Sequence, residues 1–374
     1  MPVNVSIDTL VELRKTLHAN PEASLKEVKT REILKNFLKD HTKNTKIVNM
    51  GSWFYALHEE EGATETIAFR ADHDAIVSEN GQAFHGCGHD GHSTILAGLA
   101  WNLDDKKVGK NIVFLFQHAE ENGAGAAEVV KAFDDLSIDR VYGMHNWPGY
   151  EVGKAYSLVG TIYFASKGLE IQFSGRQSHA SEPEKGINPS FAISEFIQEF
   201  APLSQFDGYH GRDYLGHAYS DLILGTLVST KVGEPGAYGV SPSKGQVQMT
   251  IRAAKLDDLD HLTQALLNKA EEIAKKYGLT VSHSTSDEFP DTTNSQEEFD
   301  RVQEIFKAHG RDLYTMEEPI RSSEDFGWYQ KKVPGLFFLV GSGVDHAAVH
   351  QTNYEFPDEI IEEGIAYFTW IAEA

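Results

Sequence analysis

Three shortages bound what this chain can be. Cysteine is nearly absent: Cys87 is the only one among 374 residues. An intrachain disulfide is therefore impossible, which fits a reducing compartment and makes a cytoplasmic protein the expectation. Basic residues are short against acidic ones, 33 to 56, for a formal charge of −23. Such a field repels nucleic acid and anionic lipid surfaces, so neither is expected as a partner. Long apolar runs are missing too. Ile112–Phe116 and Leu336–Val340 are strand-sized and far short of a membrane span. Met1–Leu10 has neither the basic start nor the apolar core of a secretory signal. The remainder, 41% hydrophobic and 24% charged, has the make-up of a globular protein. Its length points to two domains.

What is present alternates. Apolar residues at helical spacing predict helices over Asp8–Leu17 and Leu25–Leu38, and along Ile95, Leu96, Leu99, Ala100 and Leu103. Between them, Thr66–Arg70, Ile112–Phe116 and a short run at Val141–Tyr142 read as strands. Strands alternating with helices imply a mostly parallel sheet with helices on its faces, an α/β fold. Beyond Lys167 the pattern changes to strand Leu169–Phe173, helix Asn188–Phe200, strands Asp221–Lys231 and Gly245–Arg252, helix Asp257–Tyr277 and strand Leu279–Ser282. That β-α-β-β-α-β order is ferredoxin-like and predicts an inserted α+β domain over residues 167–285. The first pattern then resumes with helix Glu297–His309, strand Gly335–Val340 and helix Asp358–Ala372. Residues 1–166 and 286–374 are thus expected to form one discontinuous domain.

Polar clusters follow successive strands of that domain: Asp72-His73-Asp74, then Gln117 to Glu121, then His145. In α/β sheets the ligand crevice lies beyond the carboxyl ends of the strands, so these groups should converge there. The run Cys87-Gly88-His89-Asp90-Gly91-His92 adds a soft thiolate and imidazoles, good donors for a borderline-soft transition metal. The bland alternative is a lone cysteine packed in a core. Five groups read as metal ligands: Cys87, His89, Glu121, His145 and His350. A closed structural zinc site takes four, in short paired spacings, so five widely spread donors suit an open or two-metal catalytic centre. Zinc, manganese, cobalt and nickel all fit the donor set. Glu120 is the candidate general base, on the expectation that neighbours on an extended segment point opposite ways, one to metal and one to water. Asp74 could orient a ligating imidazole. His73 and His118 are possible extra ligands, but strand alternation should turn them aside.

At this point the residues resemble the M20 metallopeptidases, in particular the branch of aminoacylases, hippurate hydrolase and auxin-conjugate hydrolases. The resemblance runs from end to end: Leu13–Glu22, Arg70–Ala75, Cys87–His92, Glu120-Glu121, Gly143–Pro148, Ser178-His179-Ala180 with Gly186–Pro189, Ser323–Phe326, and His350 followed by Phe356. It implies a metal-binding catalytic domain carrying an inserted lid through which two subunits pair as a homodimer. It implies hydrolysis of the amide of an N-acyl amino acid, acetyl being one candidate acyl group. By position it makes Cys87, His89, Glu121, His145 and His350 the ligands of two divalent ions, with Cys87 in the bridging place, and Glu120 the base. It makes His179 a lid histidine that steadies an oxyanion, often from the partner subunit, and it makes Arg252 a substrate-carboxylate ligand.

The chain departs from the branch at several positions. His73 stands where methionine is usual, Ile76-Val77 replace leucine-proline, His118 stands for proline, and Gly239 for an asparagine associated with substrate binding. The loss of that asparagine bears on the substrate more than on the hydrolytic machinery. A carboxypeptidase or dipeptidase of the same superfamily is the nearest rival. A cysteine hydrolase using Cys87, or a non-catalytic binding protein on the same scaffold, are the more distant ones.

Overall fold

The computed structural model of the protein describes residues 3–374. The chain divides into two compact units, one comprising the residues up to Ile162 with Thr292–Pro319 and Glu324–Ala374, the other Tyr163–Asp291 with Ile320–Ser323. The expected insert, 167–285, lies inside the second.

The first unit is built on an eight-stranded sheet. Its order is Lys46–Asn49, Phe54–His58, Asn111–Gln117, Thr66–Asp72, Arg140–Pro148, Gly335–Gly343, Ala155–Ser157, Leu313–Thr315. The central strands Asn111–Gln117, Thr66–Asp72, Arg140–Pro148 and Gly335–Gly343 are mutually parallel, and antiparallel pairs flank them. Thr66–Asp72 is buried along its whole length, as a strand covered on both faces requires. The helix His89–Leu103 buries every residue but Trp101, so it is a core helix and not an amphipathic surface one. It packs against Thr66–Asp72 and against the helices Ile7–His18, Lys29–His41 and Ile360–Glu373.

Two boundaries differ from the sequence pattern. The second helix starts at Lys29, not Leu25, because Leu25 takes a positive φ of 67° and the chain before it is a turn. The strand read at Val141–Tyr142 runs on to Pro148, so His145 lies inside it, paired in register with Leu339.

The second unit is a four-stranded antiparallel sheet in the order Ile223–Val232, Lys244–Ala253, Ala165–Ser174, Thr280–Phe289, carrying the helices Ser190–Phe200 and Leu256–Tyr277. This is the ferredoxin-like order expected. Its core joins the inward positions of the central strands (Leu169, Ile171, Phe173, Val247, Met249, Ile251) to Phe196, Leu262, Leu266 and Ile273 of the helices. Period-two burial on the strands against a polar outer face is what one covered sheet face demands. No helix among the described residues is long and apolar enough to cross a membrane.

Candidate metal centre

The centre forms at the carboxyl ends of three parallel strands. Thr66–Asp72 delivers Asp72 and Asp74, Asn111–Gln117 delivers Glu120 and Glu121, and Arg140–Pro148 carries His145. Cys87 and His89 arrive on the loop that enters the helix His89–Leu103. Its capping residue Gly88 has φ 95°, and a Cβ there would overlap the Asn146 side chain. Only glycine serves at such a position. His350 comes from a distant loop tied by its own N–H to the Gly86 carbonyl at 2.7 Å.

The donors meet as the sequence suggested. Cys87 Sγ lies 3.4 Å from His145 Nε2, and His89 Nε2 lies 3.7 Å from Glu121 Oε1. The other Glu121 oxygen lies 3.6 Å from His350 Nε2. One donor atom from each of Cys87, His89 and His145, and likewise from Cys87, Glu121 and His350, falls within 4.8 Å of the others. The two trios share Cys87.

The tautomers follow from the partners. His89 Nδ1 faces two acceptors of Asp74, the main-chain oxygen at 3.1 Å and Oδ1 at 3.0 Å, so it must donate, and in the neutral ring Nε2 keeps the lone pair. His145 Nδ1 faces the Asn146 carbonyl at 2.6 Å, which leaves Nε2 turned to Cys87. Asp74 is itself fixed, its Oδ2 accepting from Ser24 Oγ at 2.7 Å and from the Glu121 N–H at 3.1 Å. Asp74 therefore orients an imidazole, the role read from its place at the strand end.

The expectation for Glu120 and Glu121 needs correction in its geometry. They do not lie on an extended segment. Ala119 takes φ 48° and residues 120–123 form a turn, closed by the Gly123 N–H on the Glu120 carbonyl at 2.8 Å. The turn splays the two carboxylates yet keeps Glu120 Oε2 4.0 Å from His89 Nε2. Glu120 is buried, and its carboxylate accepts no hydrogen bond from the described residues. Burial, reinforced by the charges of Glu324, Glu121 and Asp325, pushes its carboxyl well above the usual range.

That surplus of acid extends behind the site. Arg70, fully buried, donates to Asp72 at 2.8 Å, to Asp325 at 2.7 Å and to Gln117 at 2.8 Å, with Glu324 at 3.0 Å. One guanidinium cannot neutralise these carboxyls together with Asp74, Glu120 and Glu121. Burial raises Glu324 to about 8, Asp325 to about 6 and Glu121 to about 7. Buried atoms His89 Nε2 and Glu121 Oε1 are left without hydrogen-bond partners. Unpartnered lone pairs aimed into a cluster of excess negative charge fit divalent cations. Burial likewise pushes the Cys87 thiol well up. A nucleophilic cysteine needs the opposite shift, whereas metal ligation deprotonates a thiol outright, so the cysteine-hydrolase reading loses its footing.

Other residues sort plainly. His73 is buried beside Phe54, and burial lowers its imidazole to about 3, which keeps it neutral. The His118 ring turns to Glu128, with Nε2 3.2 Å from its carboxylate. In the second unit His179 lies on a two-residue strand paired with Val240-Ser241, its Nδ1 2.7 Å from Ser181 Oγ. Arg252 donates to Ser323 Oγ at 2.6 Å and has no carboxylate partner among the described residues. Gly239 has open space where a side chain would project.

Sequence reasoning missed His92, whose ring bridges Asp72 Oδ1 at 2.7 Å and Asn146 Oδ1 at 2.6 Å. It also missed the Arg70 cluster and Glu27, which accepts the Ala119 N–H at 2.8 Å. Only Arg70 and Asp72 carried a signal, since residues two apart share a face of a strand.

A cleft of about 380 Å³ opens beside the donors, lined by Ala23, Ser24, Lys26, Ala75, Ile76 and Val77 with Glu121 and His350. Residues 58–374 match the model of the peptidase family M20/M25/M40. An uncharacterized hydrolase of Staphylococcus aureus (strain USA300) is 26% identical over 384 residues, covering 97% of each chain. An N-acetyldiaminopimelate deacetylase of Exiguobacterium sibiricum is 24% identical over 362 residues, covering 93% of this chain and 94% of its own. The solved structure of the Bacillus subtilis YXEP protein, described as a dinuclear metal binding peptidase of the M20 family, superimposes with TM-score 0.80. The two are 23% identical, and the match covers 98% and 97% of the chains.

Proposed function

The chain belongs to peptidase family M20/M25/M40, and from that premise we propose that this metal-dependent hydrolase cleaves the amide bond of N-acyl amino acids. The observation that carries the reading is Glu120, buried and with no hydrogen bond to its carboxylate among the described residues, next to the five donors Cys87, His89, Glu121, His145 and His350. Those five would hold two divalent ions, of zinc, manganese, cobalt or nickel. Bound there, the ions supply Lewis-acid chemistry, polarising a carbonyl and making water acidic.

The protein's own groups do the rest. Glu120 accepts at its carboxylate a proton from the attacking water and returns it to the leaving amine, which demands an acid–base group near neutrality. Asp74 holds His89 in the tautomer whose Nε2 is available. Arg252, a half-buried guanidinium with no carboxylate of its own, suits the α-carboxylate of the amino-acid product. His179, anchored through Nδ1 on Ser181, has Nε2 free to donate to a tetrahedral oxyanion. The second unit is proposed to act as lid and homodimer contact, with His179 serving the partner's site. One free cysteine suits a cytoplasmic setting. The name of the Exiguobacterium relative supports an N-acetyl group on the acyl side.

Glu120→Gln tests the reading. The variant should keep its metal content while turnover of N-acetyl or N-benzoyl amino acids falls by on the order of 10²–10⁴, the usual worth of a general base. Cys87→Ser should lose metal as well as rate. Near wild-type turnover in the glutamine variant removes Glu120 from the mechanism. Cleavage of dipeptides in preference to N-acyl amino acids would move the enzyme to the dipeptidase reading.

A further inference from the structure

A set of metal-type donors outside the hydrolytic centre lies wholly within the second unit. The hairpin Asp213-Tyr214 and His217-Ala218 turns through Leu215 and Gly216, with φ of 47° and 82°. Two consecutive positive φ values are what a tight two-residue hairpin with the right twist requires. The turn brings His217 to the start of the helix Leu256–Tyr277. There Asp258 and His261, three residues apart, share one face. One donor atom from each of the three side chains lies within 4.8 Å of the others. The His217 and His261 rings are 5.0 Å apart at their centroids and tilted by 41°, so they are not stacked. None of the three side chains has a hydrogen bond or ion pair among the described residues. Beside them the Tyr219 hydroxyl is buried without a hydrogen-bond partner, within the field of Asp258.

We propose that His217, Asp258 and His261 form a separate site for one transition-metal ion of the zinc class, bound through two imidazole nitrogens and one carboxylate oxygen. Two imidazoles disfavour the hard ions calcium and magnesium, which take oxygen donors. Tetrahedral bonds of 2.0–2.1 Å set donors roughly 3.3 Å apart, a spacing that small rotations of partly exposed side chains can reach. Three protein ligands leave a position for water. The Tyr219 ring lies 4.5 Å from that of His217, centroid to centroid, and its buried hydroxyl has no hydrogen-bond partner. Bound metal would clip the hairpin to the helix.

The probe is zinc itself, added to the full-length enzyme after its catalytic centre has been loaded. Wild type and a His217→Ala/His261→Ala double variant are equilibrated with zinc, passed through gel filtration and analysed for metal. Wild type should retain one zinc per chain more than the double variant, and the two should hydrolyse substrate at the same rate. Zinc should also raise the melting temperature of wild type and leave that of the variant unmoved. Equal zinc content in the two proteins overturns the proposal. His261→Gln, at an exposed position, keeps the test open should the double variant not fold, since it removes one imidazole without touching the core.

Discussion

Glu27 has no counterpart in the chemistry yet sets the shape of the turn that carries it. Its Oε1 holds the N–H of Ala119, the residue at φ 48° on which Glu120 and Glu121 hinge. Burial, with the charge of Asp74 adding to it, raises its carboxyl from 4.5 to about 7. A carboxyl held higher in the folded than in the unfolded chain contributes stability that is whole below the unfolded value. That contribution is lost as pH rises through the folded one, because unfolding releases the proton. Stability of the chelated protein should therefore fall between roughly pH 4.5 and 7 and then level as far as this group is concerned. Glu27→Gln removes the ionisation and should stabilise the chelated protein at pH 8, by up to on the order of 3 kcal/mol, while leaving pH 5 nearly unchanged. Urea midpoints at the two pH values are the measurement. A pH dependence identical to wild type would mean Glu27 does not ionise in that range.

Among the elements, the helix His89–Leu103 matters most, because its first turn delivers a ligand and its body is core. Gly88 permits that entry by taking φ 95° in a space already filled by Asn146 and the Tyr354 hydroxyl. Gly88→Ala adds a Cβ where the backbone conformation alone costs about 1–3 kcal/mol, and the neighbours must shift as well. The variant should unfold at lower denaturant and bind less metal, since Cys87 and His89 flank the strained residue. Unchanged metal stoichiometry with lowered stability would separate the entry loop from the ligand geometry. The turn at 120–123 makes the complementary point. A strand ladder could hold one of the two glutamates over the site, but only a turn keeps Glu120 within 4.0 Å of His89 Nε2 while Glu121 stays at 3.7 Å.

The whole molecule is where His179 belongs. It sits on a loop strand of the second unit, exposed, with one ring nitrogen engaged by Ser181 and the other free. In the proposed dimer it reaches the partner's centre, so subunits damaged at different places should complement each other. His179→Ala alone should fold, keep its metal and lose turnover by on the order of 10²–10³, with substrate affinity less affected. Mixing it with Glu120→Gln subunits under exchange conditions should restore part of the activity, because a mixed dimer builds one site with both groups intact. Absence of recovery despite proven subunit exchange confines His179 to its own subunit or removes it from catalysis.

By itself the sequence determined the α/β and ferredoxin-like architectures, and it singled out Asp74, Glu120 and the five donors as candidates from residue type and spacing. These are local facts: periods of two and of about 3.6 residues fix which face a side chain takes, and turn residues fix where a strand stops. The tertiary structure alone decided the rest. Arg70 meets Asp325 across 255 positions, and His92 bridges to Asn146 across 54. His217 finds Asp258 and His261 only because a hairpin folds onto a helix. No local period encodes such meetings. They follow from how the sheets stack their covering elements, and from burial, which forces each polar group carried inward to find a partner or a cation.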